Sequence, residues 1–271
     1  MELRKVWAVY FSATGNTAKV VRTAAEVLAE KLGLPMEERG FTRPGERTET
    51  LAFTAGDLVV VGSPTYAGKL PNKILPDFQE KLRGEGTPAV PVVLFGNRSF
   101  DNSLAELRAV LEADGFRPIA AGAFVGRHAF TDELAYGRPG WSDLAEIRNF
   151  AGRIAEKVLA GDRSPVQVPG DPAAPYYVPK GLDGEPAKFL KAKPKTDLSR
   201  CNQCGACARA CPMGAIDAAD ASQVPGTCIK CQSCVRKCTK GAKYFDDPAF
   251  LSHVAMLERD FREPKENQVF L

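Results

Sequence analysis

Apolar residues in the first 162 positions follow two alternating patterns: short continuous runs, and longer stretches with a period near 3.6. Val6-Trp7-Ala8-Val9-Tyr10-Phe11, Asp57 to Gly62 and Val92 to Phe95 are runs of the first kind and predict buried strands. Pro91 has no N–H to give a ladder, so the third strand is expected to begin beside it rather than run through it. Arg117 to Val125 predicts a final strand, diluted by alanine and glycine. Helical periodicity fills the gaps. Val21, Ala24, Ala25, Leu28 and Leu32 make one face, stopped by Gly33. Leu104, Leu107 and Leu111 make another, opened by Asp101 or Ser103 and closed at Gly115. Leu144, Ile147, Ala151, Ile154 and Val158 make a third, with Ser142 as N-cap and Gly161 as stop. Strands alternating with helices predict an α/β fold, a doubly wound parallel sheet over residues 1–163.

The pattern then changes. Residues 164–195 hold seven of the chain's twenty prolines, Pro165, Pro169, Pro172, Pro175, Pro179, Pro186 and Pro194, which predicts an extended linker. Tyr176-Tyr177-Val178 interrupt it and are expected to pack on the first domain. Residues 196–247 read as a second, small domain. In 248–271, Phe250, Val254, Leu257 and Phe261 predict a short amphipathic helix opened by Asp247 and Pro248, sealing a domain contact in preference to forming a dimer. The loop 126–141 is long enough to imply a function; His128, Phe130 and Trp141 in it are candidates for covering a ligand or meeting the second domain.

Composition narrows the function classes without naming one. At 271 residues, with 44% hydrophobic and 25% charged positions, the chain is an ordinary globular protein. A formal charge of +3 and the lack of an aromatic-basic stripe argue against nucleic acid. No apolar run reaches the length of a membrane span, and the N-terminus carries no cleavable signal pattern, so a cytoplasmic location is expected.

All eight cysteines lie between positions 201 and 238, in one pattern written twice. Cys201, Cys204, Cys207 and Cys211 are followed by Cys228, Cys231, Cys234 and Cys238, each run spaced two, two and three residues apart. Two-residue spacings let three thiolates of one tight loop reach three corners of a cubane; the fourth cysteine then lies too far from its own cluster. A disulfide scaffold, a zinc ribbon or a single redox dithiol does not account for two overlapping triplets. The region resembles the bacterial two-cluster ferredoxins. The resemblance implies one 4Fe–4S cluster on Cys201, Cys204, Cys207 and Cys238, and another on Cys228, Cys231, Cys234 and Cys211. Thr239 stands where those proteins have a second proline, without removing a ligand. Oxygen-sensitive clusters imply a reducing cytoplasm and an anaerobic or microaerobic life.

Ser12-Ala13-Thr14-Gly15-Asn16-Thr17 joins the first strand to the first helix. Small residues there permit a backbone nest, and a helix N-terminus offers free N–H groups to an anion; an N-cap turn without ligand is the alternative. The hexapeptide is neither a Walker loop nor a Rossmann fingerprint. It resembles the phosphate loop of flavodoxins, Ser/Thr-x-Thr-Gly-x-Thr. Two further loops match at expected strand ends, Ser63-Pro64-Thr65-Tyr66-Ala67-Gly68-Lys69 and Gly96-Asn97-Arg98-Ser99-Phe100-Asp101. The phosphate loop has no lysine or arginine, which suits the single phosphate of FMN better than FAD. The resemblance implies FMN bound by the three loops, with Tyr66 and Phe100 as ring neighbours and Arg98 or Lys69 favouring the anionic reduced flavin.

The whole chain is similar to the flavodoxin–ferredoxin fusion proteins of anaerobes. That implies an electron-transfer protein carrying FMN and two 4Fe–4S clusters, working between a low-potential carrier and a redox partner such as a ferredoxin, a flavodoxin or a reductase. The alternative is an FMN-dependent reductase of a small molecule, fed by ferredoxin-type electrons. A redox sensor is a third class. Lys230, Arg236, Lys237, Lys240 and Lys243 around the second cysteine run predict an outward basic face there, either a docking patch or merely solvated; monomer and homodimer stay open.

Overall fold

A computed structural model describes residues 2–271; Met1, within the first expected domain, lies outside it. The apolar runs become the strands of a sheet buried on both faces. In chain order the first part contains β1 (Lys5–Tyr10), α1 (Asn16–Leu32), β2 (Met36–Gly40), a 3-10 turn (Pro44–Glu46), β3 (Leu51–Phe53), β4 (Asp57–Pro64), α2 (Leu75–Lys81), β5 (Leu82–Gly84), β6 (Thr87–Phe95), α3 (Ser103–Ala113), β7 (Phe116–Pro118), β8 (Ala121–Val125) and α4 (Trp141–Leu159). β2, β1, β4, β6 and β8 lie side by side and parallel, in that order. Counted by principal strands this is 2-1-3-4-5, the flavodoxin-like doubly wound order. Leu58, Val59, Val60 and Val61 of β4 are all fully buried, because helices cover both sides. On one face Val6, Ala8, Leu58, Val60 and Val92 pack against α1 and α4. On the other Val9, Phe11, Val59, Val61 and Val93 pack against α2 and α3.

The expected elements are present, with five corrections, the first being that α3 has Asn102 as its N-cap rather than Asp101 or Ser103. Pro91 lies inside β6, opposite Val61. Ala89 and Phe95 direct their carbonyls to the β7/β8 side, where Ile119 and Gly126 donate to them. Pro91 shares that orientation, and its ring falls between the last β7 pair, Ala89 with Pro118, and the first β8 pair, Val92 with Gly122. No ladder partner waits there for the missing N–H. The final strand is correspondingly split into β7 and β8 rather than continuous from Arg117. α4 is capped at Gly140, not Ser142, with the Asp143 carboxylate accepting from the Gly140 N–H at 2.7 Å. β2 was not expected, since Met-Glu-Glu-Arg-Gly is polar; it is an edge strand, and Lys5–Glu37 (2.5 Å) and Arg22–Glu38 (2.6 Å) ion pairs hold its charges.

The second part comprises β9 (Lys195–Thr196), α5 (Ala206–Ala210), α6 (Ser233–Arg236), β10 (Lys243–Tyr244), α7 (Pro248–Asp260) and β11 (Gln268–Phe270). β9 and β10 pair antiparallel at the base of the cysteine-rich region. Asp247 caps α7 through the Phe250 N–H at 2.9 Å. Phe250 joins Phe189 and Ala192 in one apolar cluster, with Phe130 and Phe245 against it. Met256 and Leu257 pack with Leu134 in another. The helix thus seals linker, loop and small region together. The chain then returns to the large sheet, where β11 adds antiparallel to β8, with Val269 opposite Gly122. The linker is strapped down as well: Val166 N–H donates to Pro118 O (2.9 Å), Tyr177 N–H to Ala67 O (2.8 Å) and Tyr176 OH to Leu70 O (2.8 Å).

Candidate cofactor sites

β1, β4, β6 and β8 are parallel neighbours, so the loops after them gather at one sheet edge. The loop after β1 runs into α1, whose N-cap Gly15 has φ 101, a conformation costly for any residue with a Cβ. No acidic residue occupies the first turn of α1, so its N–H dipoles are left free to attract an anion. Gly62 lets this helix lie against β4: a Cβ there would sit 2.3 Å from Val21 Cγ2 and 2.9 Å from Thr17 Cγ2. Ser12 Oγ accepts from the Ala18 N–H (3.0 Å) and its own N–H donates to Thr42 Oγ1 (2.8 Å), which shapes the turn. Thr14 and Asn16 stay partly accessible beside it, Thr17 lies buried and Ala13 backs the loop into the core. Asn16 faces Gly126 after β8, a neighbour that the spacing of motifs does not reveal. These groups fit a phosphate held by hydroxyls, an amide and backbone N–H donors.

The other two loops divide. Pro64 ends β4, Thr65 Oγ1 bonds Ser103 Oγ at 2.7 Å, and Ala67 and Gly68 turn the chain with φ 48 and 79. Tyr66 is half-buried and packs on the core cluster of the α2/α3 face. Lys69 does not face the crevice. It is 7% exposed, paired with Glu106 at 3.0 Å, and donates to the Pro172 and Ala174 carbonyls at 2.8 Å. Arg98 pairs with Asp101 and lies 4.1 Å above the Tyr177 ring, so it serves the linker. Phe100 is 8% exposed and rests on Phe95 at 5.6 Å, a core contact rather than a free ring. Asn97 holds the C-terminal tail, and Gly96 makes room for His128, whose Cδ2 would lie 2.4 Å from a Cβ there. The expected third loop is therefore largely a structural clasp.

His128 is half-buried, and its Nδ1 accepts from the Phe130 N–H at 3.1 Å. Burial pushes its pKa down to about 3, aided by nearby His253, Arg236 and Arg98, so it is neutral and carries no exchangeable charge near neutrality. Its ring meets Phe130 at 5.2 Å, which continues to Phe250 at 4.8 Å. Trp141 is 82% exposed and covers nothing.

No disulfide joins any of the eight cysteines. Cys211, Cys228, Cys231 and Cys234 line a single pocket together with Pro212, Met213 and Ile229. Burial pushes the Cys231, Cys234 and Cys228 thiols up. Among the described residues no three His, Cys, Asp or Glu side chains converge as one metal ion demands; four thiols around a pocket suit the corners of a multi-atom cluster. The remaining four are more open, with Cys204 exposed. The two runs share local hydrogen bonding: N–H groups two residues on donate to Cys201 (3.4 Å) and Cys228 (3.4 Å), and groups four residues on donate to Cys211 (3.3 Å) and Cys238 (3.2 Å).

The orientation of the small region reverses the expectation of an outward second run. Arg236 points inward, donating to the carbonyls of His128, Ala129 and Thr131 and pairing with Asp132. Lys243 is 3% exposed and donates to Ala221 O, while Lys230 reaches Leu190 O. Only Lys237 and Lys240 of the five remain exposed, and both flank Cys238. Buried Arg47, fixed by Asp77 at 2.7 Å, donates to Pro212 O at 2.8 Å, the residue after Cys211. No charge count along the chain would have found Arg47 as an anchor.

Residues 194–217 and 225–241 each match a family described as a 4Fe–4S binding domain. No curated protein matches the chain. Among solved structures the chain is similar to a flavodoxin from the domain Archaea, 19% identical, with 57% of this chain and 99% of that one covered and a TM-score of 0.41. It is similar to a Streptococcus pneumoniae flavodoxin at 20% identity, 56% and 99% coverage and a TM-score of 0.40. An apo NADH:FMN oxidoreductase matches at 18% identity, 64% and 95% coverage and a TM-score of 0.40. No helix among the described residues is long and apolar enough to cross a membrane. The chain joins a flavodoxin-like sheet to a 4Fe–4S ferredoxin-type region, the architecture of a redox protein.

Proposed function

We propose that the chain is an electron-transfer protein holding one FMN at the sheet edge and two 4Fe–4S clusters in the small region. Its work is to pass electrons between a low-potential carrier and a second redox protein. The observation that supports this most is the pocket of Cys211, Cys228, Cys231 and Cys234, taken from both runs and set against the flavodoxin-like core. Clusters exchange single electrons and a flavin accepts one or two, so the pair couples carriers of different stoichiometry.

The chain's own residues would divide the work. The α1 N-terminus with Thr14, Asn16 and Thr17 binds the phosphate; Tyr66 orders the ring side of the crevice. Cys201, Cys204, Cys207 and Cys238 hold the outer cluster, where exposed Cys204, Lys237 and Lys240 admit a partner. Cys211 and Cys228 with buried Cys231 and Cys234 hold the inner one. His128 packs beside Gly96 and against Phe130, which holds the 126–141 loop on the sheet edge. Anaerobic reductive titration tests the reading: both cluster signals and the flavin should fill, then empty into an added ferredoxin or flavodoxin. Steady turnover of small acceptors with no exchange to either protein would replace it with a reductase.

A further inference from the structure

Tyr66 belongs to two structures at once. It sits in the loop after β4, at the sheet edge where the phosphate loop begins its helix. It also packs against the apolar cluster of the α2/α3 face, the cluster to which Cys231 belongs and against which Met213 and Ile229 of the inner cysteine pocket also pack. The contact is held in register from both sides. Arg47 fixes the backbone beside Cys211, and Arg236, two residues after Cys234, fixes α6 to the 128–132 loop. Of the first run only Cys211 lines this pocket; Cys201, Cys204 and Cys207 do not, and Cys204 lies exposed.

We infer that Tyr66 is the positioning residue that couples the inner cluster to the flavin, making Cys211, Cys228, Cys231 and Cys234 the ligands of the flavin's immediate redox partner. The inference rests on the FMN reading above. With the groups bound, one electron would pass per event: the cluster held by Cys211, Cys228, Cys231 and Cys234 would lose one as the flavin gained one, and the outer cluster, reduced in turn by the low-potential carrier, would refill it. The ring's part is to close the gap and keep water off Cys231. Removing it lets solvent stabilise the more highly charged reduced cluster and raises that cluster's potential.

The experiment compares native protein, Tyr66→Phe and Tyr66→Ala after anaerobic purification, by redox titration of the two cluster signals and by the rate of internal cluster-to-flavin transfer. Tyr66→Phe should keep native behaviour, since the ring remains. Tyr66→Ala should shift one midpoint upward and leave the other in place. It should also either slow the internal step or release the flavin. Two unmoved midpoints, or flavin retained at the native internal rate, would overturn the inference. Native protein that carries clusters but no FMN would instead overturn the functional reading, before any variant is compared.

Discussion

Asn97, in the loop after β6, donates from Nδ2 to the Phe261 carbonyl at 2.6 Å, tying the end of α7 to the sheet edge. The same amide donates to Glu263 O and accepts from the Lys265 N–H, both at 3.1 Å. From there Arg138 takes Lys265 O at 2.5 Å, and Asn267 bonds the Val125 N–H (2.9 Å), Asp143 (3.0 Å) and Glu146 (2.6 Å). The tail is thereby led to its place as β11. An amide that resembled a flavin contact in the sequence proves to be the clasp of the fold.

Asn97→Ala is therefore expected to act on the tail before it acts on any cofactor. Asn97 is 2% exposed, and losing it strands backbone groups at a cost of roughly 1–3 kcal/mol. Hydrogen exchange should rise across residues 261–270 while both cluster signals persist. Protection unchanged in that stretch would show that β11 pairing alone holds the tail.

Thr14→Ala or Asn16→Ala should weaken FMN binding and leave the clusters intact. A hydrogen bond to a charged group contributes roughly 1.5–3 kcal/mol, so each loss should lower affinity by about tenfold or more. Equilibrium dialysis against FMN reads this directly. Native retention in both variants would put the phosphate elsewhere.

Crossed ligation predicts that serine substitutions in one cysteine run disturb different clusters. Cys207→Ser should alter the outer signal, and Cys211→Ser the inner one with loosened packing around Tyr66. The native chain should hold about eight iron atoms, four per cluster. Near four, or loss of the same signal from both variants, would rule out the assignment.

His128 supplies a pH test. Its folded pKa of about 3 lies below the unfolded value near 6.5, so between those limits the unfolded chain binds more protons. Stability is then fully present above the unfolded pKa and is lost as pH falls toward the folded one. His128→Asn should flatten the acid side of the stability curve, with the share of His253, whose pKa burial also lowers, left in place. Parallel curves for the two proteins in denaturant melts would contradict this.

What could be read before the fold was known depended on how local the cause was. Cysteine spacing is local, as is the turn of residues 12–17, and both stand where the pattern put them. The strands β4 and β6 were legible because two-sided burial makes them apolar throughout. Pro91 was misjudged because the direction of its missing N–H depends on a break between β7 and β8 further along the chain. Lys69, Asn97 and Arg236 looked like ligand or docking groups; their partners, Glu106, the tail carbonyls and the 128–131 carbonyls, are distant in sequence. β11 gave no signal, since three residues take their meaning only from the β8 edge they complete.

The last prediction concerns docking. Of the five basic residues near the second run, Arg236, Lys243 and Lys230 are engaged within the chain, which leaves Lys237 and Lys240 exposed on either side of Cys238. By crossed ligation Cys238 serves the outer cluster, and exposed Arg200 and Arg209 lie within the first run's surroundings. Asp197 and exposed Asp217 oppose those two arginines, so the positive charge an acidic carrier would meet is concentrated at Lys237 and Lys240 beside Cys238. Complementary charge speeds encounter more than it deepens affinity. Reversing Lys237 and Lys240 to glutamate should slow exchange with an acidic ferredoxin or flavodoxin, most strongly at low salt. The effect should fade as the screening length shrinks to about 10 Å near 0.1 M salt and below that at higher salt. The internal step through Tyr66 should keep its native rate, because it does not depend on docking. A double variant that exchanges electrons at the native rate at every salt concentration would leave these lysines as solvated surface and move the port elsewhere.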